Sequence, residues 1–111
     1  ARSFVDQFHS PWVRFFVDTG NILTQGFPQD WILTLGPRIN RLHAKNRQAR
    51  GQQPGRPGGL LEGDVDWKAV MAALVQVNYR GFISPEYGYN PDDPDQLKKL
   101  SAELDTILAM A

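Results

Sequence analysis

The hydrophobic period of this 111-residue chain switches between strand-like and helix-like three times, and that alternation limits the folds open to it. Trp12-Val13-Arg14-Phe15-Phe16-Val17 is a run of β-branched and aromatic residues stopped by the turn chemistry of Asp18-Thr19-Gly20-Asn21, which predicts a strand. Pro28 suits a first helical turn, and Trp31, Ile32 and Leu35 share a helical face until Gly36-Pro37 ends it. Ile39-Asn40-Arg41-Leu42-His43-Ala44 alternates apolar with polar residues and predicts a second strand. Asp66 can cap a helix in which Val70, Leu74 and Val77 recur, with Arg80-Gly81 marking its end. Phe82-Ile83-Ser84-Pro85 predicts a third strand, with Pro85 blurring its end because proline donates no ladder bond. Leu97, Leu100, Leu104, Ile107 and Leu108 then form an apolar stripe at helical spacing. Ahead of the first strand, Phe4, Val5 and Phe8 lie on one face of a short amphipathic segment that ends at Ser10-Pro11.

Strands separated by helices favour a parallel sheet, with ligands bound at the carboxyl ends of the strands. Three strand-helix units fall short of a closed eight-unit barrel, which takes roughly 250 residues, so the expectation is a single partial domain over residues 1–111. Both sheet edges would be open, and open edges invite pairing with a second copy or with further units of the same sheet. The chain begins at Ala1, directly in a helix-like pattern, from which an upstream portion is expected. Residues Lys45 to Gly59 are rich in Arg, Gln, Gly and Pro and carry no periodicity. They predict a long loop, either a lid or binding segment or an excursion without regular structure.

Composition narrows the chemistry. There is no cysteine, which removes disulfide frameworks, thiolate metal sites and Cys nucleophiles and suits a reducing cytoplasm. Twelve basic residues balance twelve acidic ones, so no net field draws in nucleic acid or an anionic membrane. The apolar runs fall well short of the ~18 residues of a membrane helix.

The ionisable residues stand at the strand ends. Asp18 follows the first strand, His43 lies at the end of the second and Glu86 follows the third. Singly, each has an ordinary explanation: Asp18 as a turn residue, His43 as a core or surface histidine, Glu86 as an exposed loop acid. Their repetition in phase at three successive strand ends is what points to a shared site. Two carboxylates and an imidazole suit a divalent ion of intermediate or hard character such as manganese, magnesium, cobalt or zinc.

Five words carry a resemblance: Phe16-Val17-Asp18-Thr19-Gly20-Asn21, Gly26-Phe27-Pro28-Gln29-Asp30-Trp31, Leu42-His43-Ala44-Lys45-Asn46, Leu61-Glu62-Gly63-Asp64-Val65-Asp66-Trp67 and Gly81-Phe82-Ile83-Ser84-Pro85-Glu86. In order and spacing they resemble the last three βα units of the xylose isomerase-like sugar phosphate isomerase/epimerase family, whose fold is the (β/α)8 TIM barrel. The resemblance implies an α/β fold, a partial barrel of about three C-terminal βα units preceded by a short helix. It implies Asp18, His43 and Glu86 as metal ligands, with Glu86 also one of two glutamates that move a proton. Asn21 matches a position facing the substrate; Arg47 or Arg50, and also Lys45, match a basic residue that binds a sugar hydroxyl or phosphate. Glu62 is read as a structural residue or a support to the ligands.

Two departures follow from the same resemblance. Asn46 stands where many relatives carry Asp, in a position expected to hold the imidazole. The fourth family ligand, a glutamate on an earlier strand and the second proton-transfer group, has no counterpart here, and Ala1 to Ser10 matches the helix that follows it. The expected function is therefore the C-terminal part of a metal-dependent sugar or sugar phosphate isomerase or epimerase that is completed by an N-terminal barrel half. The competing expectation is a non-catalytic half-barrel that associates with itself. Barrel endonucleases acting on abasic DNA fit poorly, because their multi-zinc clusters use many histidines and this chain has only His9 and His43.

Overall fold

Where β-branched and aromatic residues cluster, the chain extends, and a computed structural model describing residues 1–48 and 59–111 shows three strands. They are β1 (Phe15–Asp18), β2 (Ile39–Ala44) and β3 (Ile83–Pro85), in spatial order β1-β2-β3 and parallel throughout. The helices are α1 (Arg2–Asp6), the single turn α2 (Thr19–Ile22), α3 (Pro28–Leu35), α4 (Trp67–Gln76) and α5 (Gln96–Leu108). Alternation along the strands separates the two faces of the sheet. Val17, Leu42 and Ala44 turn toward the helices and pack with Ile32, Leu35, Val70, Leu74 and Ile107 into one apolar core. The opposite face carries Phe16, Arg41 and His43, and Phe16 is 53% exposed there. Arg50, with the rest of residues 49–58 in the Lys45–Gly59 segment, lies outside the described residues.

Several boundaries differ from the sequence expectation. The first strand begins at Phe15 rather than Trp12, because residues 10–14 complete the turn after α1. There the Trp12 amide donates to Ser10 Oγ at 3.2 Å, and the Arg14 guanidinium donates to Pro11 O at 2.9 Å and Pro37 O at 2.7 Å. The turn expected after Asp18 closes into α2, because the Asp18 carboxylate accepts the Asn21 amide at 2.8 Å and so caps a helical turn. Asp66 caps α4 as expected, accepting the Ala69 amide at 2.9 Å. That helix stops at Gln76, ahead of Arg80-Gly81, because Asn78 adopts a positive φ of 54° that ends helical geometry.

Pro85 proves compatible with β3. The Leu42 amide donates to Phe82 O at 3.3 Å and the Glu86 amide to Ala44 O at 2.9 Å, so the residues bonded to β2 alternate and Pro85 falls between them on the outer side. In α5, Leu100, Leu104 and Ile107 join the core, but Leu97 is 78% exposed. Gln96 turns inward in its place, accepting the Asn90 amide at 2.9 Å and donating to Gly88 O.

Asn46 is the clearest correction. It does not hold the imidazole; 2% exposed, it ties the returning segment 60–65 to the exit of β2. Its Oδ1 accepts the Arg47 amide at 2.9 Å and the Val65 amide at 3.0 Å, while Nδ2 donates to Leu60 O at 2.8 Å. At neutral pH an amide both accepts and donates in this way where a carboxylate can only accept, which is a physical reason for Asn here. Asn46→Asp places a carboxylate oxygen against Leu60 O, and urea denaturation at neutral pH should show a loss of about 1–3 kcal/mol. The deficit should shrink at acidic pH, where the protonated carboxyl can donate to that carbonyl again.

Candidate functional site

Parallel pairing brings the strand ends to one rim. Asp18 lies opposite His43, and His43 opposite Ser84. Glu86, two residues beyond Ser84, returns to the same face by the two-residue period of extended chain. His43 Nδ1 stands 3.1 Å from Glu86 Oε2 and 3.9 Å from Asp18 Oδ2. One ligand atom from each of the three residues lies within 4.8 Å of the others. Two ligands that each bind one ion at ~2.0–2.2 Å sit no more than about 4.4 Å apart, so this set can close on a single cation with small side-chain movements.

Each acid has a partner that aims it. Asp18 accepts the Asn21 amide through Oδ1 and the Asn21 side-chain amide through Oδ2 at 3.0 Å. It is thus both the helix-capping residue and a member of the cluster. Glu86 Oε1 receives Lys45 Nζ at 2.8 Å, and the His43 ring packs edge-on against Phe16 with centroids 4.2 Å apart. Of the residues expected from sequence, Asp18, Asn21, His43, Lys45 and Glu86 therefore converge. Arg47 lies in the link beyond β2, where its carbonyl accepts the Asp64 amide at 3.0 Å. Glu62 is exposed, with its amide donating to Gly59 O at 3.1 Å in a surface turn.

Sequence reasoning missed Phe16 and Thr19. Phe16 precedes Asp18 by two residues and could have been found from the strand period. Thr19 is completely buried, and its hydroxyl donates to Lys45 O at 2.7 Å while accepting the Lys45 amide at 3.0 Å. That contact spans 26 positions and becomes visible only when β1 and β2 are paired.

The ammonium of Lys45 hydrogen-bonded to Glu86 holds its carboxyl below the ordinary value of 4.5; burial opposes this, while the Lys45 charge and His43 reinforce it. A depressed carboxyl contributes stability that is present above pH 4.5 and is lost as pH falls through the folded value. Carboxyl-carbon NMR should find Glu86 titrating below 4.5 in the wild type, and Lys45→Met should raise its midpoint.

Similarity to known proteins bears on the fold and the family. The family described as a xylose isomerase-like TIM barrel matches residues 1–107. An Escherichia coli (strain K12) protein, SgbU, provisionally named an L-ribulose-5-phosphate 3-epimerase, is 38% identical over 76 residues, which are 65% of this chain and 27% of that one. Among solved structures, a D-psicose 3-epimerase from Clostridium cellulolyticum H10, crystallised with D-tagatose, superposes with a TM-score of 0.76 at 19% identity, covering 98% of this chain and 42% of the other. A xylose isomerase domain protein from Planctomyces limnophilus gives 0.75 at 23% identity, covering 97% and 41%. The chain thus spans about a quarter of its curated relative and about two-fifths of these structures. With the family match running over nearly the whole chain and the neighbours' barrels matched only in part, the chain belongs to the xylose isomerase-like TIM barrel family and forms part of such a barrel.

Proposed function

We propose that this chain supplies the C-terminal share of the active site of a divalent-metal-dependent sugar or sugar phosphate epimerase. The observation that carries the reading is the gathering of Asp18, His43 and Glu86 ligand atoms within 4.8 Å at the carboxyl rim of a parallel sheet. SgbU, by its provisional name, and the Clostridium enzyme, by its description, are 3-epimerases of keto sugars, which supports a ketose as the substrate class. Asp18, His43 and Glu86 would hold the cation, with manganese the first candidate and magnesium, cobalt or zinc compatible with the same donors. The bound ion would supply Lewis-acid stabilisation of charge developing on the carbonyl oxygen.

Glu86 takes a proton from the carbon beside the ketose carbonyl. As a carboxylate it is ionised at neutral pH and able to accept that proton. Asn21 and Lys45 line the substrate side, Lys45 spending one of its three N–H donors on Glu86 and keeping two for a sugar oxygen or phosphate. Arg47 and Arg50 are further candidates for that contact. Epimerisation also needs an acid on the opposite face of the substrate, a role for the glutamate of an upstream barrel strand. The lone chain is accordingly expected to bind metal weakly and to turn over nothing measurable. The lack of cysteine is in keeping with a cytoplasmic enzyme, and no helix among the described residues is long and apolar enough to cross a membrane.

A second reading has its own observation. Within the three-stranded sheet β1 and β3 each have one neighbour, and Phe16 and Phe82 are exposed, which favours a half-barrel that associates with itself and carries an idle cluster. Manganese or cobalt should raise the melting temperature of the wild type and leave Asp18→Ala and Glu86→Ala unmoved, because an ion held only by the folded state stabilises it by mass action. Ketose 3-epimerisation should appear only after addition of a separately expressed upstream half. A metal-independent dimer with no metal-induced shift would instead select the second reading, and turnover by the lone chain would overturn the division of labour between the halves.

A further inference from the structure

Glu86 lies just past the end of an edge strand and is substantially exposed, so nothing in β3 itself fixes the rotation of its carboxylate. Oε2 faces His43 Nδ1 and Oε1 is held by Lys45, and the structure shows what holds Lys45. Both backbone hydrogen-bonding groups of Lys45 end on the single hydroxyl of Thr19, with His43 O a further 3.3 Å from the same oxygen. One residue beyond β2, a buried side chain thus continues the pairing of β1 with β2 that the backbone no longer makes. The neighbouring Gly20 fixes the side chain in turn. A Cβ on Gly20 would lie 2.8 Å from Lys45 Cγ and 3.2 Å from Cβ and Cδ, so the lysine stem rests on the space that the absent methyl leaves. Root and stem together direct Nζ across β2 to Glu86 Oε1, on the third strand.

We propose that Thr19 and Gly20 are positioning residues of this site: they hold Lys45 on Glu86 Oε1, so that Glu86 offers only Oε2 to a cation shared with His43 Nδ1 and Asp18 Oδ2. The cation part of this statement rests on the epimerase reading above; the lysine part does not. A carboxylate with one oxygen held by a fixed ammonium is a single-atom ligand of set direction, and one released from it can turn outward or bind through both oxygens. The pair Thr19-Gly20 directly follows Asp18, so one short stretch of β1 and α2 supplies one ligand and orients another two strands away.

The test uses the 111-residue chain and two readouts. In the first, a water-soluble amine-acylating reagent is followed residue by residue by mass spectrometry, with the exposed Lys98 and Lys99 as internal references. Lys45 should react more slowly than Lys98 in the wild type. Loss of the hydroxyl in Thr19→Val should speed Lys45 alone by about tenfold, whereas Thr19→Ser, which keeps it, should stay close to wild type. Gly20→Ala should also speed Lys45 by displacing its stem, and it decides the matter if Thr19→Val unfolds and all lysines accelerate together. Unchanged protection of Lys45 in Gly20→Ala and in folded Thr19→Val would overturn the proposal. In the second readout, manganese affinity measured by the electron paramagnetic resonance of the free ion should fall about tenfold in Thr19→Val and recover in Thr19→Ser. Release of Lys45 with unchanged affinity would also overturn the proposal. Failure of Glu86→Ala to weaken manganese binding would instead remove the epimerase reading, leaving the labelling result to judge the lysine anchor by itself.

Discussion

The parallel register of Asp18, His43 and Ser84 is the constraint on which the rest of this molecule depends. In parallel pairing all strands finish at the same edge, and residues two apart share a face, so a histidine at the end of one strand and carboxylates at the ends of its neighbours must meet. A slip of one residue in β2 would send His43 into the helix-covered core and bring Leu42 or Ala44 out to the rim. The core forbids that slip, because Leu42 and Ala44 are fully buried among residues of α3, α4 and α5. The apolar packing beneath the sheet therefore holds the polar geometry above it.

That polar geometry makes each residue serve twice. Asp18 caps α2 and presents an oxygen to His43; Asn21 completes the cap and returns its side-chain amide to the same carboxylate. Lys45 neutralises part of the charge that two neighbouring carboxylates would otherwise set against each other, and it lowers the pKa of Glu86 in doing so. The three donors stand near enough to one another that a divalent cation could be shared among them. Asn46 stands outside this economy: it serves the loop, holding segment 60–65 against the end of β2 so that the rim keeps its shape.

The face of the sheet that bears the cluster is also the face the described structure leaves open. Phe16 and Phe82 are exposed on or beside it, while the opposite face is covered by helices. In a barrel that face is the interior, filled by layers of side chains from all the strands. The fraction of the neighbours' chains that is matched, about two-fifths, accounts for this asymmetry in simple terms. Three strands supply a rim and part of an interior, and further strands are needed to close it.

By itself the sequence determined the three strands, the longer helices, the parallel pairing and the three residues at the strand ends, because each follows from period, turn chemistry and local composition; the single turn α2 was read only as a turn. Ile39–Ala44 and Pro28–Leu35 were legible to the residue, since an alternating run and a proline-opened helix are local signals. Asp18, His43 and Glu86 were legible as a set because they recur in phase. Tertiary structure alone decided that Asn46 ties a loop and does not hold the imidazole, that Gln96 turns inward where Leu97 was expected, and that Thr19 and Gly20 govern Lys45. Each of these depends on partners between six and twenty-six positions away, and no periodicity encodes a hydrogen bond or a steric gap between segments that meet only when the sheet has formed.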